Sequence, residues 1–188
     1  MTDFSVVPGV PGLRFRRMKG EDDYKAMSAV SHRSRDADGV EWIVTPEEIA
    51  EGFANTTDHD PKDDIVLAEV GGELIGYSSL EWDLSDEDPK DYRSDVKLVP
   101  EWRGRGIREA LFLHNEREIR RISAGHPQFK RKRIFTWANE VPNDWKTIVE
   151  SNGYRPLWRL LEMANEDLTR TNITPLPEGV EVRPPKPS

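Results

Sequence analysis

The chain has 188 residues, 36% hydrophobic and 33% charged, with a net charge of −8 and a pI near 5.1. That length suits one sizeable soluble domain, and the acidic balance argues against nucleic-acid binding, which needs a basic footprint. No apolar run approaches the roughly 20 residues that span a bilayer, and with no cysteine there is no disulfide, thiolate nucleophile or cysteine zinc site.

The opening MTDFSVVPGVPG has neither the basic start nor the apolar run of a secretory signal, so a cytoplasmic location is expected. GLRFRRMK (12–19) alternates apolar and charged residues and predicts a strand. GEDDYKAMSAVSHRSRDADG (20–39) predicts a helix with acids in its first turn and glycine at its end. TPEEIAEGFANT (45–56) opens a second helix with a capping box of Thr45 and Glu48 and with Pro46 at its first position. HDPKDD (59–64) carries His59, Asp60, Asp63 and Asp64, but with no second ligand cluster it reads as a charged turn and not a metal site. DIVLAEVGGELIGYSSLEWDL (64–84) predicts a hairpin turned at Gly71 and Gly72, and YRSDVKLV (92–99) a further strand.

After the stretch 99–112 the helix is expected to run to about Ala124, followed by a strand at 133–138 and a helix over 143–153 ending at a glycine. YRPLWRLLEMA (154–164) is expected to close the domain as a last strand. The order β-α-α-β-β-β-α-β-α-β defines a mixed α/β (α+β) domain over 12–168, preceded by an N-terminal extension (1–11). In the tail (169–188), PEGVEVRP (177–184) echoes PGLRFRR (11–17). This segment is either a Pro-rich tail or the start of a second, similar domain.

VPEWRGRGIREALF (99–112) is the stretch with chemistry in it. Unpaired N–H groups at a helix start and the positive end of the helix dipole make a cradle for phosphate. Gly104 and Gly106 allow close approach of the backbone, and the arginines add charge. The helix behind it shows an apolar stripe at Ile107, Ala110, Leu111, His114, Ile119 and Ile122, and an expected wet face of Arg108, Glu109, Glu116, Arg117, Arg120 and Arg121. Neither GxxxxGK[ST] nor GxGxxG is present.

This stretch resembles the pyrophosphate loop of the GNAT superfamily of N-acetyltransferases, [QR]-x-x-G-x-[GA] after V-x-P. Leu98-Val99-Pro100 stands for V-x-P, Arg103 for the first position and Gly106 for the central glycine. NDWKTIVESNGYRP resembles the later Asn…Gly-aromatic segment through Asn143 and Gly153-Tyr154. The resemblance implies a largely antiparallel sheet with helices on both faces, and acetyl-CoA as donor to a small-molecule amine, with no metal and no membrane or nucleic-acid partner. It places pyrophosphate on the backbone of Arg103, Gly104, Arg105, Gly106, Ile107 and Arg108, pantetheine on Leu98, Val99 and Asn143, and an oxyanion-stabilising amide at Leu98.

Two positions depart from the pattern. Arg108 stands where glycine or alanine is expected, either reaching a CoA phosphate or obstructing the loop. Val149 stands where the family often has an acid tyrosine. For the proton transfers the candidates are Glu81 and Asp95, each either a base or a solvated strand carboxylate, and Tyr154, either a proton donor or a core aromatic. The same departures suit a degenerate half of a tandem protein resembling mycothiol synthase, whose partner would be a second GNAT-like domain, and a homodimer is the other expected assembly.

Overall fold

The computed structural model describes residues 4, 8–54, 60–82, 90–126, 131–141, 144–161, 163–165, 167, 169 and 174–183. It divides into two units, Met1–Tyr154 and Arg155–Ser188, and the helices and strands lie in the first. In chain order these are β1 (Leu13–Arg17), α1 (Asp22–Asp38), α2 (Pro46–Ala54), α3 (Pro61–Asp64), β2 (Ile65–Val70), β3 (Glu73–Trp82), β4 (Lys90–Leu98), a 3-10 turn (Pro100–Trp102), α4 (Ile107–Gly125), β5 (Lys132–Phe135) and α5 (Asp144–Ser151). The strands lie side by side in sequence order, antiparallel except for the parallel pair β4–β5.

Local chemistry sets the helix starts. Asp22 and Asp23 face the positive end of the α1 dipole. Arg16 on β1 grips Asp23 through two bonds (2.7 and 3.0 Å) and Glu69 on β2 through a third (2.6 Å). The capping box of α2 forms as expected. The Thr45 N–H donates to Glu48 (2.8 Å), the Glu48 N–H donates to the Thr45 hydroxyl (3.2 Å), and the bonds from Thr45 hold the Glu48 carboxyl below its ordinary pKa.

Pleating sorts the sheet's side chains. Tyr77 and its β4 partner Lys97 point to one face, where the Tyr77 hydroxyl meets Ser31 of α1 at 2.8 Å. Ser94 and Val96 point to the other, where Asn115 of α4 donates to the Ser94 hydroxyl at 3.1 Å. Helices therefore cover both faces, and Met27 and Val30 of α1 join Leu111 and Phe112 of α4 in one core around Ile65, Leu67, Ile75 and Leu98.

β4 is paired with β3 from Tyr92 to Leu98, but with β5 only at its start. β5 matches Lys90–Arg93 and ends, so Ser94–Leu98 has no β5 partner among the described residues. The strand expected to reach 138 stops at Phe135, and the chain turns away. The Trp145 indole of α5 donates to the Trp137 carbonyl (2.8 Å), and the Asn139 amide donates to the Asp38 carbonyl (2.5 Å).

Other expectations are corrected. HDPKDD contains the short helix α3, capped by Asp60, whose carboxylate accepts the Lys62 N–H at 2.9 Å; His59 lies outside the described residues. Residues 154–161 form no strand, because an apolar run needs a ladder partner and Pro156 removes a donor. Arg108 and Glu116, assigned to the wet face of α4, are buried, because α5 and Tyr154 cover that side. In the second unit, the Val180 N–H donates to the Pro177 carbonyl (3.1 Å) around Gly179, the same turn that Leu13 makes with Val10 (3.2 Å) around Gly12, but no strand follows at 180–183.

Gly76 faces Leu98 across the β3–β4 ladder, and a Cβ there would stand 2.7 Å from the Lys97 carbonyl oxygen and 2.8 Å from Leu98 Cδ1. Gly76→Ala must push the end of β4 outward. The expected cost is about 1–3 kcal/mol, read as a lowered midpoint of thermal or urea unfolding; an unchanged midpoint would show that β4 yields freely.

Candidate active site

The site begins at the unpaired end of β4. The Val99 N–H donates to the Ile75 carbonyl on β3 at 2.9 Å. Because backbone groups alternate sides along a strand, the Leu98 N–H and carbonyl point the other way, to the open edge. The loop then passes through the 3-10 turn to Gly104 (φ 69°) and Gly106 (φ 77°), left-handed conformations that glycine adopts without strain. Gly106 is the N-cap of α4 and contributes no side-chain cap, and the first helical bond runs from the Ala110 N–H to the Gly106 carbonyl (2.9 Å). The N–H groups of Ile107, Arg108 and Glu109 precede that bond and face outward at the positive end of a 19-residue helix.

The arginines of this loop have different tasks. Arg105 is exposed, its guanidinium 4.5 Å from the centre of the Trp102 ring. Arg103 is turned inward. Its guanidinium donates to the Leu98 carbonyl (3.2 Å), the Ala37 carbonyl (3.4 Å) and Asp38 (2.9 Å), and its N–H is taken by the Pro100 carbonyl (3.1 Å). Val99 is likewise engaged: its N–H bonds Ile75, and its carbonyl accepts from the Trp102 N–H (3.1 Å).

Arg108, the anomalous residue of the motif, neither swings out nor projects into the loop. Its side chain is 4% exposed, donates to Asp144 at the start of α5 (2.6 Å) and to Asp38 (3.4 Å), and lies 4.9 Å from the Trp145 ring centre. Asp38 thus joins both inward-turned arginines at the end of α1, with one carboxylate oxygen left without a hydrogen-bond partner. Sequence reading missed Asp38. Its signal was an acid in the last turn of a helix, where the dipole disfavours negative charge unless a cation compensates.

On the α1 side of the sheet, Arg93 bonds both proposed carboxylates, Glu81 at 3.2 Å and Asp95 at 2.5 Å. Burial lowers the Arg93 pKa, but these two charges outweigh it and raise it. The structure therefore brings Glu81 and Asp95 together through a shared cation. Burial pushes the nearby Tyr77 hydroxyl up to about 12.

Tyr154 is not part of this group. Its hydroxyl donates to Glu116 of α4 at 3.0 Å, its ring packs on Phe112, and burial with the Glu116 charge holds its pKa far above the ordinary tyrosine value. Val149 is buried in the α5 packing, and Asn143 lies outside the described residues. Arg133 of β5 bonds Asp91 of β4 twice at 2.7 Å. Among the described residues no three His, Asp or Glu side chains are grouped to hold a metal ion, and no helix is long and apolar enough to cross a membrane.

Two more side chains escaped the sequence reading. Asn115 of α4 is 1% exposed and donates to the Ser79 carbonyl (3.2 Å), the Ser94 hydroxyl (3.1 Å) and the Asp95 carbonyl (3.4 Å), which locks β3 to β4 beside the open edge. Lys97 shares a face with Arg93 and Asp95, and only that alternation announced it.

No family model and no curated sequence matches the chain. Solved structures do. A GCN5-related N-acetyltransferase from Sphaerobacter thermophilus aligns with a TM-score of 0.67 at 19% identity over 78% of this chain, which spans only 44% of that protein's length. A ribosomal-protein-alanine N-acetyltransferase from Brucella melitensis aligns at 0.56 and 18% identity over 74% of this chain and 83% of its own. The yncA protein of Salmonella typhimurium, solved with its cofactor acetyl-CoA, aligns at 0.57 and 14% identity over 77% and 80%. At such identities the likeness establishes the fold, which is that of the GNAT acetyltransferases.

Asp38→Ala leaves two buried guanidiniums short of a counter-charge. The expected loss is about 3–5 kcal/mol, measured by chemical unfolding, and a loss near zero would show that the arginines find other partners.

Proposed function

We propose that the chain, built on the GNAT fold, is an N-acetyltransferase that moves acetyl from acetyl-CoA to a small amine by direct attack. The observation that carries this reading is the adjacency of a strand edge that β5 does not pair and a helix start without a side-chain cap. The strand edge at Leu98 leads within a few residues to the helix start at Gly106, which has no side-chain cap. The N–H groups from Gly104 to Glu109 are suited to the pyrophosphate, with Arg105 as the accessible cation. Bound acetyl-CoA supplies a thioester whose carbonyl an amine can attack. The Leu98 N–H would donate to that carbonyl oxygen as negative charge gathers on it. Glu81 and Asp95, held beside the edge by Arg93, would give the amine an anionic approach.

A second reading has its own support. Arg108 and Asp144 tie α4 to α5, Val149 stands in place of the family's acid, and the turn before β1 recurs at 177–180. These features suit a half of a tandem protein that binds acyl-CoA while another domain does the chemistry. A domain boundary near residue 168 belongs to that proposal.

Calorimetric titration with acetyl-CoA, followed by CoA release with a panel of small amines, separates the two. Binding with release on at least one amine is expected; binding without release on any amine selects the degenerate half, and no binding overturns both. Arg105→Ala is expected to weaken acetyl-CoA binding about fivefold, the loss of roughly 1 kcal/mol from an exposed charge contact, with little effect on stability.

A further inference from the structure

The end of β4 turns two backbone groups of Leu98 away from β3, its carbonyl and its N–H, and β5 pairs with neither. The structure treats the two differently. Arg103 donates to the carbonyl from Nε and from Nη2, each at 3.2 Å, which fills an oxygen with two lone pairs. The same guanidinium is anchored at the end of α1 by Asp38 (2.9 Å) and by the Ala37 carbonyl (3.4 Å), and its side chain is only 13% exposed. No other arginine of the loop reaches Leu98: Arg105 lies over Trp102, and Arg108 is held by Asp38 and Asp144.

The N–H is in the opposite condition. Leu98 is buried, and its N–H makes no hydrogen bond among the described residues. A buried backbone donor without an acceptor is costly, and an oxygen placed opposite it recovers that cost.

We propose that Arg103 is a specificity-determining residue of the acyl-CoA site, one that makes Leu98 a donor-only position. The inference rests on the acyl-CoA binding that the reading above assigns to this edge. A bare strand edge offers both a donor and an acceptor, so either end of a ligand amide can pair with it. Pantetheine contains amides of its own, and a bare edge would hold it in more than one register. With the Leu98 carbonyl filled, a ligand N–H finds no acceptor there, whereas a carbonyl oxygen finds its donor. An unmade bond to a buried group is penalised more than a made bond is rewarded, so the edge selects by what it refuses. The acyl thioester carries the oxygen, and free CoA, with a thiol in its place, does not. Arg103 therefore favours the loaded donor over the spent one.

The pairs Lys-Leu and Leu-Val each occur once in the chain, at 97–98 and 98–99. Isotopic labelling of lysine at its carbonyl carbon and leucine at its amide nitrogen isolates the Leu98 N–H in an NMR spectrum of the full chain. Labelling leucine at its carbonyl carbon and valine at its amide nitrogen isolates the Leu98 carbonyl. Acetyl-CoA is expected to move the Leu98 amide proton downfield and leave the Leu98 carbonyl carbon in place. S-ethyl-CoA, a thioether without the acyl oxygen, is expected to move neither. By calorimetry the wild-type chain is expected to bind acetyl-CoA about tenfold more tightly than S-ethyl-CoA, the effect of one hydrogen bond to a buried donor. Arg103→Met frees the carbonyl and is expected to bring that preference close to parity. A role in packing alone changes both affinities together and leaves their ratio as it was.

Three results overturn the filter alone, given calorimetry that shows acetyl-CoA bound. They are a Leu98 proton that acetyl-CoA leaves unmoved, a Leu98 carbonyl carbon that shifts with the ligand as the proton does, and an equal preference in Arg103→Met and wild type. The two wild-type resonances decide the matter even where Arg103→Met does not fold. Binding without CoA release on any amine overturns the acetyltransferase reading and leaves the filter standing; no binding of acetyl-CoA overturns both.

Discussion

Asp38 is the point on which the arrangement turns. It ends α1, where the helix dipole is unfavourable to a carboxylate, yet it is only 7% exposed because Arg103 and Arg108 converge on it. Through Arg103 it fixes the loop after β4 and the carbonyl of Leu98; through Arg108 it reaches the first turn of α4 and, beyond it, Asp144 of α5. Its own carbonyl accepts the Asn139 amide from the segment after β5. Buried ion pairs lose much of their attraction to desolvation, so their net contribution to stability is small while the cost of breaking one is large. Such a network defines geometry more than it adds stability, and here the geometry is that of the loop and the open strand edge.

The open edge follows from the same set of contacts. A sheet normally continues wherever backbone groups are left unpaired, since buried N–H and C=O groups without partners are costly. β5 does not continue because its chain is held away by the Trp145 indole and by Asp38. On the opposite side, Gly76 lets β3 press closely on Lys97 and Leu98, and Asn115 locks the two strands from above. β4 is thus held firmly along one edge and left exposed along the other, an arrangement suited to receiving an extended ligand.

Much of the fold was legible in the sequence. The capping box at Thr45, the glycine turn of the hairpin and the apolar stripe of α4 each depend on residues close in sequence, and each formed as read. The stretch VPEWRGRGIREALF reads as a glycine-bearing loop ahead of a helix, and α4 starts at Ile107 directly after Gly106. What failed did so for one kind of reason. Residues 154–161 have the composition of a strand, but a strand exists only with a partner, and composition is silent about partners. Arg108 and Glu116 occupy positions that helical periodicity marks as wet, and they are buried because α5 and Tyr154 cover a second side of α4.

By itself the sequence determined most of the elements from β1 to α5, the GNAT-like loop and the glycines that let it form, because those rest on local backbone preferences and short-range periodicity. The tertiary structure alone decided which arginine stays in solvent and which turns inward, since Arg103 and Arg108 are set by an aspartate 65 and 70 residues away in the chain. It likewise decided that Arg93 and Lys97, alike in their strand alternation, differ in partners. Charge, burial and hydrogen bonding at a site are properties of the residues that folding brings together, and sequence spacing does not carry them.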